Sequence, residues 1–130
     1  MYLVDSNIWL ERILEQERAD EVRAFIERTP ARLLYITELA LYSIGILLVQ
    51  RHREQALRQF LEDLSAGSAT VVRLSPEDLS EVITACEDFN LDFDDGYQYV
   101  AARKHGLTLV TFDRNFTHTD IEPVSPSQLV

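Results

Sequence analysis

Four short apolar runs, Tyr2 to Val4, Leu33 to Ile36, Ala69 to Leu74 and Leu107 to Thr111, are separated by longer stretches whose apolar residues recur at spacings of three and four. Runs of that length suit strands buried on both faces, and the stretches between them suit amphipathic helices. Parallel neighbours in a sheet need crossover connections, so strand alternating with helix predicts a parallel arrangement. The expected fold is α/β: a three-layer α/β/α sandwich around a mainly parallel sheet. A short run from Ile121 to Val124 is expected as an edge strand beside Pro123, making the sheet roughly five-stranded. At 130 residues the chain is expected to form one domain, residues 1–130, around one core.

The helix signals are specific. Ile8, Trp9, Ile13 and Leu14 follow Asp5-Ser6-Asn7, and Val22, Phe25 and Ile26 share one face of a helix from Ala19 to Arg28 that Pro30 ends. Thr37 is a good N-cap, with Glu38 in the first turn of a helix whose run from Leu39 to Val49 reads as buried on most sides. Gln55 to Leu64 forms another amphipathic helix. Ser75-Pro76-Glu77-Asp78 opens the next, which runs through Leu79 to Phe89. A last helix begins near Asp92 and runs to about Lys104, with basic residues in its final turn and Gly106 as its stop.

No apolar stretch approaches the roughly 20 residues that span a bilayer, and Asp5 interrupts the N-terminus before a signal-peptide core can form. The expectation is a cytoplasmic protein with no membrane association. The single cysteine, Cys86, leaves no disulfide and no thiolate zinc site within one chain, and reads as a small core residue. Acidic residues number 22 against 12 basic, for a net charge of −10. That balance opposes nonspecific attraction to nucleic acid across the surface, but a carboxylate metal centre is itself acidic, so a nuclease is not excluded.

The acids fall in a pattern. Asp5 directly follows the first strand, Glu38 lies two residues past the second, and Asp113 two past the fourth. Leu91-Asp92-Phe93-Asp94-Asp95-Gly96 opens the helix that feeds back into the fourth strand. All four segments therefore emerge at the carboxyl edge of the sheet, where open α/β sheets bind ligands. Each acid has a plainer role: Asp5 as an N-cap, Glu38 as complement to a helix dipole, Asp92 as a cap, Asp113 with Asn115 as a polar turn. Those roles do not predict convergence. Adjacent helical residues point about 100° apart, so only one of Asp94 and Asp95 can aim squarely at a common centre, and periodicity does not choose between them.

These residues carry a resemblance to a known family. Tyr2-Leu3-Val4-Asp5-Ser6-Asn7, Tyr35-Ile36-Thr37-Glu38-Leu39, Asp95-Gly96 with Ala101-Ala102, His105 to Thr111, and Phe112-Asp113 together resemble the PIN-domain ribonucleases, the fold of VapC-type toxins, nearly end to end. The resemblance favours Asp95 over Asp94 and implies an acidic quartet of Asp5, Glu38, Asp95 and Asp113. It implies Mg²⁺ or Mn²⁺ as cofactor and hydrolysis of RNA phosphodiester bonds. Ser6 or Asn7 would orient the first aspartate, and Asp94, Arg114 and Asn115 are supporting or substrate-binding candidates. The chain departs from the family in Gly96, where alanine is common, in its acidity, and in its few basic residues near the site, of which Arg114 is the best placed. His52, His105 and His118 have no metal-ligand spacing.

The resemblance also implies partners: an antitoxin protein, and a second copy in a homodimer. Trp9 and Tyr42 are candidates for such a surface, although core packing is the commoner fate of residues so spaced. Two other readings remain: a PIN fold used only as an interaction module, and a haloacid-dehalogenase-like phosphatase. The latter needs a second aspartate two residues after the first, where this chain has Asn7.

Overall fold

The first strand sets the geometry of everything that follows. In the computed structural model, which describes all 130 residues, β1 (Tyr2–Val4) lies between β2 (Leu34–Thr37) and β4 (Thr108–Val110), and β3 (Thr70–Val72) completes the order β3-β2-β1-β4. All three pairings are parallel, with Leu3 beside Tyr35 and Leu109, and Val4 beside Val110. Side chains alternate across a strand, so this register sorts them onto two faces. Leu3 and Leu109 enter one cluster, joined by Tyr35 and Val72, while Val4, Leu34, Ile36 and Val110 enter the other.

The helices cover both faces. Helices α1 (Ser6–Ile13), α2 (Ala19–Arg28), α3 (Glu38–Gln50) and α4 (Glu54–Ser65) bring Ile8, Trp9, Val22, Phe25, Ile44, Leu48 and Phe60 to the Val4 side. Helices α5 (Pro76–Phe89) and α6 (Phe93–His105) bring Val82, Ala85, Tyr97, Val100 and Ala101 to the Leu3 side. Burying each large apolar side chain contributes about 1.5–3 kcal/mol, so two such clusters fix the three-layer arrangement. Trp9 takes the core role, 1% exposed and packed at a tilt of 56° against Phe60, 5.5 Å between ring centroids.

The sequence signals for helix ends hold. Thr37 Oγ1 accepts from the Ala40 N–H to cap α3, and Ser75 with Asp78 forms a reciprocal capping box at α5. Gly106 closes α6 in the left-handed region at φ 63°. Asp92 stands at the N-cap of α6 with extended backbone, but its carboxylate caps no helix N–H.

Two expectations are corrected. The sheet has four strands, and the fifth reduces to a single parallel bridge between Val124 and Val110. Pro123 and Pro126 flank that bridge and offer no N–H to extend it. Helix α3 buries only Ala40, Ile44 and Leu48 fully, and leaves Tyr42, Ile46 and Val49 at least half exposed. With Leu57 and Leu61 of α4 these form an open apolar groove of about 650 Å³. The run reads as buried because it is apolar all round, but no third element lies over its outer side.

Gly96, in the first turn of α6, has a packing reason. A Cβ there would sit 2.7 Å from Cys86 Sγ and 3.3 Å from the Val82 carbonyl, so the absent side chain lets α6 lie close on α5. Alanine would gain about 1 kcal/mol of helix propensity but incur about 1–3 kcal/mol of overpacking. Gly96→Ala is therefore expected to destabilise the protein in urea unfolding. Cys86→Ala in the same chain should recover part of that loss, with a coupling on the order of 1 kcal/mol. Strictly additive effects would show that the close approach is not what the glycine serves.

Candidate metal centre

With β1 central and β4 on its far side, the chain leaves β1 toward one face and arrives at β4 from the other, and a crevice opens between their carboxyl ends. Asp5 stands at one lip. The Asp5 N–H continues the ladder to the Val110 carbonyl at 2.9 Å, and Asp5 Oδ1 accepts from the Ser6 N–H at 2.8 Å. The capping role and the inward role thus belong to one residue, which is 7% exposed.

The other lip is β4 and the turn after it. Thr111 Oγ1 donates to Asp5 Oδ2 at 2.9 Å and accepts from Asn7 Nδ2 at 3.1 Å and the Asp113 N–H at 3.0 Å. One O–H and two lone pairs are the whole capacity of a hydroxyl, so Thr111 is saturated. Asn7 turns its other atom to the Phe112 N–H at 3.2 Å. Asn115 joins the remaining carboxylates: Nδ2 donates to Asp95 Oδ2 at 2.9 Å and to Asp113 Oδ2 at 3.1 Å, while its N–H donates to Asp113 Oδ1 at 2.9 Å. Gln98, one turn along α6 from Asp95, donates from Nε2 to Asp5 Oδ1 at 3.3 Å and accepts from Thr37 Oγ1 at 2.6 Å. That link ties β2, α6 and β1 together.

Thr37, Gln98 and Thr111 are site-building residues that the sequence reading did not select as such. Their signal is polarity in apolar surroundings: Thr37 and Thr111 each terminate an apolar strand, and Gln98 is 4% exposed amid Tyr97, Tyr99 and Val100.

A small polar hollow of about 20 Å³ opens among Asp5, Ser6, Ser43, Asp94, Asp95 and Gln98, room for about one water-sized occupant. Asp94, exposed, accepts the Asp95 N–H at 3.0 Å and lines the hollow. Asp92 returns to the picture, because oxygens of Asp92, Asp94 and Asp95 lie within 4.8 Å of one another. Glu38 stands apart: it heads α3, whose Leu39, Ala40 and Ser43 wall the hollow, but its half-buried carboxylate is neither in the lining nor hydrogen-bonded. Arg114 and His118 line a separate cleft of about 340 Å³ on the outer side of Asp95 and Asn115.

No arginine, lysine or histidine forms an ion pair with any of these acids; the five ion pairs all lie elsewhere. The consequence is electrostatic. Burial pushes the Asp5 carboxyl above the ordinary range, against the lowering effect of its Thr111 and Ser6 hydrogen bonds and with the fields of Asp113 and Asp94 adding to it. Asp95 is pushed up to about 6, first by burial and then by Asp94, Asp113 and Asp5, with Asn115 opposing. All-oxygen donors, a hollow of one-ion size and uncompensated negative charge fit a hard divalent cation such as Mg²⁺ or Mn²⁺.

The fold and hollow define a class: a parallel α/β protein with a carboxylate-lined pocket at the switch point of its sheet. A model of the PIN domain matches residues 2–122, and the chain belongs to the PIN domain family. Among curated protein sequences none matches it. Solved structures share the fold at low identity. VapC20 of Mycobacterium tuberculosis, a sarcin-ricin-loop-cleaving toxin, superposes with a TM-score of 0.81 at 16% identity over 97% of this chain and all of that one. A toxin–antitoxin complex from Klebsiella pneumoniae gives 0.76 at 20% over 97% and 98%. PAE2754 from Pyrobaculum aerophilum gives 0.69 at 25% over 98% and 85%.

The raised carboxyl of Asp95 makes the metal-free protein pH-sensitive in a definite sense. From the ordinary 3.8 up to about 6 the folded chain holds a proton that the unfolded chain releases, so this group's contribution to stability falls as pH rises through that window and stays lost above it. Asp95→Asn is expected to stabilise chelator-treated protein at pH 7.5 by on the order of 1 kcal/mol, seen as a higher melting temperature, and to change little at pH 4. Added Mn²⁺ should stabilise the wild type at pH 7.5 more than the variant. Equal melting curves for both proteins at pH 7.5, with and without Mn²⁺, would contradict the site.

Proposed function

We propose that the chain is a metal-dependent endoribonuclease that hydrolyses RNA phosphodiester bonds, acting in the cytoplasm as the toxin of a toxin–antitoxin pair. The observation that carries this is a hollow lined by Asp5, Asp94 and Asp95 and by no cationic side chain, with Asp113 tied to Asp95 through the Asn115 amide and to Asp5 through the Thr111 hydroxyl. The PIN fold and its likeness to VapC20, a sarcin-ricin-loop-cleaving toxin, support it. Asp5, Asp95 and Asp113 would hold Mg²⁺ or Mn²⁺, with Glu38 and Asp94 at its margin. A divalent ion bound there acidifies water and neutralises charge on the phosphate and leaving oxygen. The chain supplies the rest. Thr111, Gln98 and Asn115 hold the carboxylates at fixed positions through neutral donors, so their negative charge stays available to an ion.

The phosphatase reading loses ground on one observation. Asn7, where that chemistry needs a second aspartate, has its amide engaged by Thr111 and Phe112. Structured RNA incubated with Mn²⁺ or Mg²⁺ should be cut by the wild type, and cleavage should fall at least about 100-fold in Asp95→Asn, the scale expected when a group acting on the reacting phosphate is lost. Equal cleavage by both would sink the site assignment. Phosphate release from small monoesters with RNA intact would favour the phosphatase, and a chain that binds no metal would favour the interaction module.

The uncovered face of Tyr42, Ile46, Val49 and Leu61 supports a protein partner, a second copy of the chain or the antitoxin. Solved toxin–antitoxin complexes of this fold lend weight to that. The wild type is expected to sediment as a homodimer and Ile46→Glu as a monomer. A wild type monomeric at high micromolar concentration would leave the face to the antitoxin alone.

A further inference from the structure

The hollow has a second neighbour, on the side of Asp5 away from Asp95. A cleft of about 470 Å³ lies between α1, α3 and the turn after β4, with Leu10, Leu14 and Leu47 as an apolar wall and Arg18, Arg51 and Phe112 around it. Asn7 also lines it and connects it to the centre: Asn7 bonds the Phe112 N–H and the Thr111 hydroxyl, and that hydroxyl bonds Asp5. Two features separate this cleft from an ordinary surface groove. The Arg18 guanidinium lies over the Phe112 ring at 3.8 Å from its centroid, held in place by a bond from Arg18 Nε to Glu21. Arg51, at the C-terminal end of α3, has no carboxylate partner. Glu11 is the one acid in the lining, and its Oε1 accepts from the Arg18 backbone N–H at 2.8 Å.

Resting on the ribonuclease reading, we propose that this cleft is a nucleotide subsite for single-stranded RNA next to the scissile phosphate: a base stacks on the plane of Arg18, against the apolar wall, and Arg51 takes the phosphate. Stacking on a guanidinium plane and pairing with a free guanidinium are the two ways proteins hold unpaired nucleotides without reading a helix groove. One free cation favours a phosphate-bearing ligand over an apolar protein segment. On a chain of net −10, polyanion binding must be local, and Arg51 is the guanidinium of this cleft without a carboxylate, while Arg18, paired with Glu21, offers its plane more than its charge. Stacking on the Arg18 plane also suits an unpaired nucleotide, because a duplex cannot present the face of one base without unstacking it.

Arg18 and Arg51 are distinguishable. Lysine keeps charge but has no stacking plane. With a fluorescein-labelled eight-nucleotide single-stranded RNA, the acidic centre left intact and Ca²⁺ in place of Mn²⁺ to spare the probe, Arg18→Lys should weaken binding about tenfold with an unchanged salt dependence. Arg51→Ala should weaken binding and reduce the slope of log affinity against log salt by about 0.7, while Arg51→Lys retains most of both. The same Arg18 and Arg51 substitutions in the active chain should raise KM with kcat nearly unchanged, and melting temperatures check that Arg18→Lys remains folded. RNA affinity and KM unmoved in Arg18→Lys and Arg51→Ala, with cleavage intact, would overturn the subsite and leave the cleft to a protein partner. A wild type that neither binds nor cleaves RNA would instead bring down the ribonuclease reading, and the subsite with it.

Discussion

Carboxylates are held close together at the mouth of this sheet by neutral donors alone, and the architecture around them follows from that constraint. An arginine or lysine in the pocket would relieve the repulsion, but it would also fill the hollow and neutralise the charge. The fold instead spends hydroxyls and amides. Thr111 gives its one proton to Asp5 and both lone pairs to Asn7 and Asp113, and Asn115 divides its amide between Asp95 and Asp113. Such bonds fix position without cancelling charge. The protein is locally less stable for it, as the upward displacement of Asp5 and Asp95 records.

The sheet order makes this assembly possible. Because β4 lies on the opposite side of β1 from β2 and β3, the segments beyond β1 and β4 diverge onto different faces and leave their strand ends open between them. Helix α6 must then bring Asp95 to the crevice from the Leu3 face. Its depth is set by contact with α5, which Gly96 permits against Cys86 and Val82. The residue that departs from the family pattern is thus the one that positions the helix carrying Asp95. Cys86, expected as a small core residue, is half-buried and packs at the margin of the Leu3 cluster.

Local signals and tertiary ones separate cleanly. Strand runs, the Thr37 and Ser75–Asp78 caps and the Gly106 stop depend on a few neighbouring residues, and the sequence carries them. Topology alone sends strand ends to one edge, which made the approach of Asp5, Asp113 and the start of α6 legible; Glu38, expected with them, stands outside the hollow, and the choice of Asp95 came from the family resemblance. Gln98 was not legible, since its bonds to Asp5 and Thr37 cross 93 and 61 residues. Asp92 occupies the cap position while its carboxylate stays within 4.8 Å of Asp94 and Asp95, so position was readable and direction was not. The outer side of α3 misled for a related reason: apolar sequence shows that a face resists water, but burial also needs an element to cover it.

An acidic surface and a polyanionic substrate are compatible on physical grounds. At physiological salt the field of a distant carboxylate is screened within about 8 Å, so a phosphate in the crevice responds to its immediate neighbours more than to the net charge. Those neighbours are the carboxylates, which repel it unless a divalent ion intervenes, and arginines outside the hollow on either side: Arg18 and Arg51 beyond Asn7, Arg114 beyond Asn115. On the ribonuclease reading, binding of RNA would be conditional on the ion, and the rest of the acidic surface would disfavour nucleic acid that does not reach the crevice. Few phosphate contacts also mean few counterions released, hence weak nonspecific affinity. On the proposed reading, net acidity is a source of selectivity, because only a strand that enters the crevice meets the ion and the arginines together.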